Sequence, residues 1–195
     1  YVSNEESRKL LELVGETATE MNTMLGKFLT LYNINHYKEK AEKIEIDKIL
    51  SVISRQVSKH GGILEIINKC SEAGRVSRRN VLLQTILENL VENSLFYRKP
   101  NEAARIRVEL LHGDGECKVC VTDYGLGIPA EYHDKVFGIY FKGSSLSKGN
   151  GLGLYVVRRA VEALKGTIRL ESEKGLFTKI TIRYNEEKEE EELFS

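Results

Sequence analysis

The 195 residues carry 29 basic and 29 acidic side chains, so net charge leaves no electrostatic footprint for nucleic acid or an anionic membrane surface. Hydrophobic residues make up 41%, enough for one core and an extra element, and no run approaches the ~18 apolar residues of a membrane span. The given residues carry no signal-peptide pattern, and the opening Tyr1 in place of methionine is expected of a segment of a longer protein, with any membrane anchor outside it.

Residues 4 to about 42 carry a heptad. Val14, Met21 and Phe28 recur every seven residues, and Leu11, Ala18, Leu25 and Tyr32 fill the second seam position. The spacing predicts one long helix, weakened by roughly 1 kcal/mol at each of Gly15 and Gly26. Its narrow seam calls for another helix, so a helical hairpin or dimer bundle is expected ahead of burial against its own domain. The charged stretch Lys38 to Lys43 ends it.

Ile44-Glu45-Ile46 then alternates as a short strand, and Asp47 is placed to cap a helix running to about Ser58, stopped by His60-Gly61-Gly62. Ile63 to Ile67 reads as a strand, with a short partner at Arg75-Val76-Ser77. A long helix follows from Asn80 to about Arg98, closed by Pro100. Ala104 to Leu111 and Glu116 to Thr122 form a hairpin about the Asp-Gly turn in His112 to Gly115.

Cys117 and Cys120 have C-x-x-C spacing but lie on that second strand. Three residues apart on a strand means opposite faces, so they are read as two buried or half-buried thiols, with neither a metal nor a disulfide between them.

Asp123 to Gly127 leaves the sheet as a loop. The irregular stretch from Pro129 to Asn150 holds one short helical piece near Glu131 to Val136. A helix over 154–164 precedes a last hairpin, Thr167 to Ser172 and Thr178 to Tyr184, and the like-charge run from Glu186 to Glu192 is read as a solvated tail. Together these elements predict an α+β two-layer sandwich, one sheet with helices on one face, plus the long N-terminal helix.

Three stretches carry chemistry. Lys142 to Val157 sets glycines at 143, 149, 151 and 153 directly before a helix, where free amides, the helix dipole and close backbone approach make a phosphate site. Asn89 and Asn93 are four apart, so their amides share one helical face, and two aligned amide oxygens suit Mg²⁺. Asp123-Tyr124-Gly125-Leu126-Gly127 places a carboxylate at a strand end, able to accept from an exocyclic amine beside glycines that let the backbone approach a flat ring.

In this order and spacing the three stretches, with Phe137 and Phe141 between the last two, resemble the ATP-binding domain of sensor histidine kinases. That family shares its fold with gyrase, MutL and the large ATP-dependent heat-shock chaperones. The resemblance covers about residues 44 to 184. It implies a Bergerat-type ATP-binding fold, a mixed sheet with helices on one face, in residues 43–185. Residues 1–42 then resemble the second helix of the dimerisation and phosphotransfer hairpin, and 186–195 form an acidic tail. In the family's terms the N box is Asn89 and Asn93, the G1 box Asp123 to Gly127, the F box Phe137 to Phe141 and the G2 box Gly149 to Leu154.

The implied cofactors are ATP and Mg²⁺. Asp123 would hold the adenine amine beside Gly125 and Gly127, and Tyr97 and Phe141 would also bind the nucleotide. Gly149, Gly151, Leu152, Gly153 and Leu154 would hold the phosphates, Asn89 and Asn93 the metal, and Lys142 the γ-phosphate. The reaction implied is γ-phosphoryl transfer to a histidine on an upstream helix, then relay to the aspartate of a response-regulator receiver domain. A homodimer through the first helix and a cytoplasmic location are implied as well.

The chain departs from the family in three places. It has no H-E-L-R-x-P type box: His36, His60, His112 and His133 sit at a helix end, a turn, a hairpin and the lid. Phe96 stands where a lysine is usual, with Arg98, Lys142 or Lys148 as substitutes. Phe177 stands where a glycine is usual. The alternative is a degenerate nucleotide-binding scaffold without kinase activity. A serine kinase of the anti-sigma type is disfavoured by the long first helix.

Overall fold

A computed structural model describes residues 4–36, 44–70, 76–77, 80–113, 115–143 and 150–185. The expectations for Lys38 to Lys43, Arg75, Asp114, Lys148, Gly149 and the 186–195 tail lie outside these residues. Helix α1 spans Asn4–Asn35, followed by β1 Ile44–Glu45, α2 Ile46–Lys59, β2 Ile63–Lys69, β3 Val76–Ser77 and α3 Asn80–Phe96. The hairpin β4 Arg105–Gly113 and β5 Glu116–Asp123 comes next. A 3-10 turn at Ala130–Tyr132, α4 Gly153–Ala163, β6 Thr167–Glu173 and β7 Phe177–Asn185 complete the order.

Five strands form one mixed sheet in the order β2-β4-β5-β7-β6, parallel between β2 and β4 and antiparallel elsewhere. The period-two alternation decides which face is buried. Ile106, Val108 and Leu110 of β4, Cys117, Val119 and Val121 of β5, and Ile180, Ile182 and Tyr184 of β7 all point into one core with α2, α3 and α4. Helices α3 and α4 pack on each other over that face; Leu83, Ile86, Leu87 and Val91 of the first and Val156, Val157 and Ala160 of the second are fully enclosed. The two-layer α+β sandwich expected from the sequence is the fold observed.

Several local expectations are corrected. Strand β3 pairs with β1, whereas β2 pairs with β4, because a parallel partner needs a long crossover and α3 supplies one. Ile46 belongs to α2: with Ile49, Leu50, Ile53 and Val57 it makes a buried stripe of helical period, and Glu45 rather than Asp47 holds the cap position, without a side-chain cap bond. Asp123 is the last residue of β5 instead of the first of a loop. The helical piece near Glu131 to Val136 reduces to the 3-10 turn Ala130–Tyr132, and α3 ends at Phe96.

Cys120 faces away from the helical core, opposite to Cys117, and is buried all the same, its Sγ 3.7 Å from Thr181 Oγ1 on the neighbouring strand. No disulfide joins Cys117 to Cys120.

Helix α1 has two characters. Its last turns bury Leu31 and Ile34 in the core, and Arg159 of α4 donates to Asn35 Oδ1 at 2.8 Å. The heptad seam is open: Leu11 is 72% and Tyr32 60% exposed, and Val14, Met21 and Leu25 are equally bare.

Candidate functional site

A cavity of about 610 Å³ lies between α3, the sheet, the segment 126–143 and the middle of α1. Its floor follows from strand parity. The alternation that puts Cys117, Val119 and Val121 in the core also aims Asp123 at α3, beside Thr178 on the paired strand β7.

Asp123 is held from two sides. Its Oδ1 accepts from the Gly125 backbone N–H at 3.0 Å, and its Oδ2 lies 3.4 Å from Ser94 Oγ on α3. Burial pushes its pKa up from 3.8 to about 6, and those two hydrogen bonds oppose the rise. The following loop is fastened to its surroundings: Leu126 N–H donates to the Tyr97 carbonyl at 2.9 Å, and Gly175 N–H to the Leu126 carbonyl at 2.7 Å. Ile128 N–H donates to Ser172 Oγ at 2.8 Å. This carboxylate corner therefore exists before any ligand arrives.

On α3, the (i, i+4) spacing puts both asparagines on one side, but their surroundings differ. Asn93 lines the cavity, and its Nδ2 is buried without a hydrogen-bond partner among the described residues. Asn89 is saturated. Its Nδ2 donates to the Thr85 carbonyl at 2.7 Å, and its Oδ1 accepts from Lys27 of α1 at 2.6 Å. Lys27 also bonds Glu92 Oε2 at 2.5 Å.

The glycine-rich run closes onto the same place. Gly151 takes φ +70°, and a Cβ there would sit 2.8 Å from the Phe141 carbonyl, so only glycine lets the loop lie against the Tyr140–Phe141 backbone. Gly153 opens α4, and a Cβ on it would come within 3.0 Å of Asn93 Oδ1. The two motifs thus meet at van der Waals distance. The first amides of α4, on Gly153, Leu154 and Tyr155, have no acceptor within the helix and carry the positive end of its dipole. The Leu152 side chain is fully buried, and its N–H donates to Asn150 Oδ1 at 3.1 Å.

Of the expected residues, Asn93, Tyr97, Asp123, Gly127, Phe141, Lys142, Gly151, Gly153 and Leu154 line one cavity. Gly125 stands behind Asp123, and Asn89 sits behind Lys27 and outside the lining. The ring of Phe141 packs edge-on against Tyr132 at 5.5 Å, which forms the far wall.

Residues 78–188 match the family model of the histidine kinase-, DNA gyrase B-, and HSP90-like ATPases, more than half of the chain. The chain belongs to that family. Its relatives place it with the sensor histidine kinases, as a catalytic domain of the GHKL type. It is 30% identical over 168 residues to the methanogenesis regulatory histidine kinase FilI of Methanothrix harundinacea, covering 85% of this chain and 19% of that protein. It is 26% identical over 188 residues to the sensor-like histidine kinase SenX3 of Mycobacterium tuberculosis, covering 92% and 45%. The chain thus spans less than half the length of either relative. Among solved structures, full-length ShkA in complex with AMPPNP has the same fold, with a TM-score of 0.71 at 17% identity over 94% of this chain and 39% of that one.

Two residues at this GHKL site escaped sequence reasoning. Ser94 could have been found, since it follows Asn93 directly and a hydroxyl between the apolar Leu90, Val91 and Leu95 needs a partner once buried. Lys27 had no local signal, lying 62 residues from its partner Asn89. The described histidines are engaged locally. His36 Nδ1 lies 2.8 Å from the Tyr32 carbonyl, His60 Nδ1 2.9 Å from that of Gln56 and His133 Nε2 3.0 Å from that of Ile128. His112 lies in β4, paired with Cys117, and not in the turn. No described helix is long and apolar enough to cross a membrane.

Proposed function

We propose that this chain is the ATP-dependent catalytic region of a histidine kinase, which passes the γ-phosphoryl group of ATP to a histidine on a helix outside the segment, for relay to a response-regulator aspartate. The observation that carries this reading is the pairing, across one cavity, of the fixed Asp123 carboxylate with the unsatisfied Asn93 amide and the free amides opening α4. A buried donor without a partner is costly to keep, and a polar ligand in the cavity removes that cost.

The residues fit Mg-ATP. Asp123 would accept from the adenine amine, with Tyr97 and Phe141 bounding the base. The α4 amides of Gly153 and Leu154 would take phosphate oxygens, and Lys142, exposed at the cavity edge, the outermost one. Asn93, and Asn89 once freed of Lys27, would supply amide oxygens to the metal. Gly149, outside the described residues, remains part of the proposed phosphate loop. ATP when bound supplies the transferable phosphoryl group, and Mg²⁺ neutralises its charge. The protein's own contribution is positioning and electrostatic stabilisation, which suffices for phosphoryl transfer without a nucleophile in this domain. The AMPPNP bound by the similar ShkA supports a nucleotide of this kind.

The organisation that supports this has a dimerisation helix in 1–42, the catalytic domain in 43–185 and an acidic tail in 186–195. The bare heptad face of α1 suits the homodimer, a receiver domain is the second partner, and the site works on the cytoplasmic side. A second reading, a nucleotide-binding scaffold without transfer, is favoured by Phe96, 44% exposed at the cavity where a lysine is usual.

One experiment separates the two. The longer protein that restores the preceding helix is incubated with γ-labelled ATP and Mg²⁺. Acid-labile, base-stable label, abolished by Asp123→Asn, is expected. Nucleotide binding without any such label would leave the scaffold.

A further inference from the structure

The Lys27 contact places a cation where the reading above needs a metal. Asn89 is only 5% exposed. Because the Thr85 carbonyl fixes its amide nitrogen, its Oδ1 is oriented towards α1, and the Lys27 ammonium fills it at 2.6 Å while also bonding Glu92. The Lys27 side chain is itself only 16% exposed. A hard divalent cation and an ammonium compete for the same oxygen lone pairs, and two cations within a few ångströms repel.

We propose that Lys27 is a latch on the metal position: docked α1 and metal-loaded nucleotide exclude each other, so α1 holds the site in an inhibited state that Mg-nucleotide binding releases. This rests on reading Asn89 and Asn93 as the metal face.

The way α1 is attached makes release possible. Its fixed end is the last turn, with Leu31 and Ile34 in the core and Asn35 bonded to Arg159. From Asn4 to Thr30 the helix buries no side chain fully, and Lys27 hydrogen-bonds the catalytic body twice, to Asn89 and to Glu92 of α3. Thr19, Glu20, Thr23 and Met24 meanwhile wall the cavity. Breaking one lysine's contacts lets the helix swing about its anchored end and opens that wall. The latch also has a distinctive sign. Without metal the ammonium attracts the nucleotide's phosphates, so Lys27 opposes only the metal-loaded form.

The test is calorimetric titration of the full chain with AMPPNP, wild type against Lys27→Met, which keeps an unbranched helix-forming stem. In Mg²⁺, Lys27→Met is expected to bind about tenfold tighter, within the range of ordinary allosteric coupling. In EDTA the advantage disappears or reverses. Equal or weaker binding of Lys27→Met in Mg²⁺ overturns the latch while leaving the nucleotide reading intact, weaker binding marking Lys27 as a phosphate contact instead. No binding by either protein in either condition overturns both. In the wild type, hydrogen exchange over residues 4–30 is expected to accelerate on saturation with Mg-AMPPNP, and unchanged exchange at saturation contradicts the latch.

Discussion

The two ends of the cavity are built differently. At the Asp123 end each group already has its partner: Gly125 and Ser94 hold the carboxylate, and the following loop is tied to Tyr97, Ser172 and the β6–β7 turn. At the Asn93 end one amide nitrogen is buried without a partner, the neighbouring Asn89 is held by a residue from another element, and Lys142 is exposed. The first end is preorganised for a flat, uncharged group, and the second completes itself only around a charged one. Specificity then sits at the rigid end, where misplacement is costly, and control at the end whose contacts can exchange.

The contrast can be attacked most strongly at Asp123. Its pKa is raised by the fold, so the fold favours the neutral acid: that contribution is complete below 3.8 and is lost as pH rises through about 6. Above this the buried charge costs up to about 3 kcal/mol. Asp123→Asn is therefore expected to raise the melting temperature at pH 8, with the gain shrinking to nothing by pH 4, even as it weakens nucleotide binding. A destabilised variant at pH 8 would mean that this end is not held in a strained, ligand-ready state.

Next in size is Gly153→Val. Its Cβ would press on the Asn93 amide, 3.0 Å from Oδ1, and so disturb the phosphate end alone. Affinity for Mg-AMPPNP should fall about tenfold, the equivalent of roughly 1.4 kcal/mol, with the same preference for adenine over guanine nucleotides. A lost base preference would show that the two ends are not separable.

Smallest is Lys142→Ala. An exposed cation contributes little in high dielectric, and a drop of about two- to threefold in affinity, fading at high salt, is expected by calorimetry.

The same division describes what the sequence disclosed. The β4–β5 hairpin pairing, the alternation of β4, β5 and β7, the Asn89/Asn93 spacing and the glycines at 151 and 153 are local patterns, and each survives in the fold at its expected place. What failed depends on distant choices. Nothing near Ile63 says that β2 will pair in parallel with β4, and Ile46 looks like a strand residue until the α2 stripe that claims it is seen. The heptad in α1 advertised its seam but not its other face, where Lys27 meets Asn89 across 62 residues.

The central claim, that this cavity is a Mg-dependent adenine-nucleotide site, is tested most directly by titrating the wild-type chain with AMPPNP and with GMPPNP, each with and without Mg²⁺. Saturable one-to-one binding of AMPPNP, tighter with Mg²⁺ and well ahead of GMPPNP, is the predicted result. Folded protein that binds neither nucleotide, or binds both alike, would contradict it.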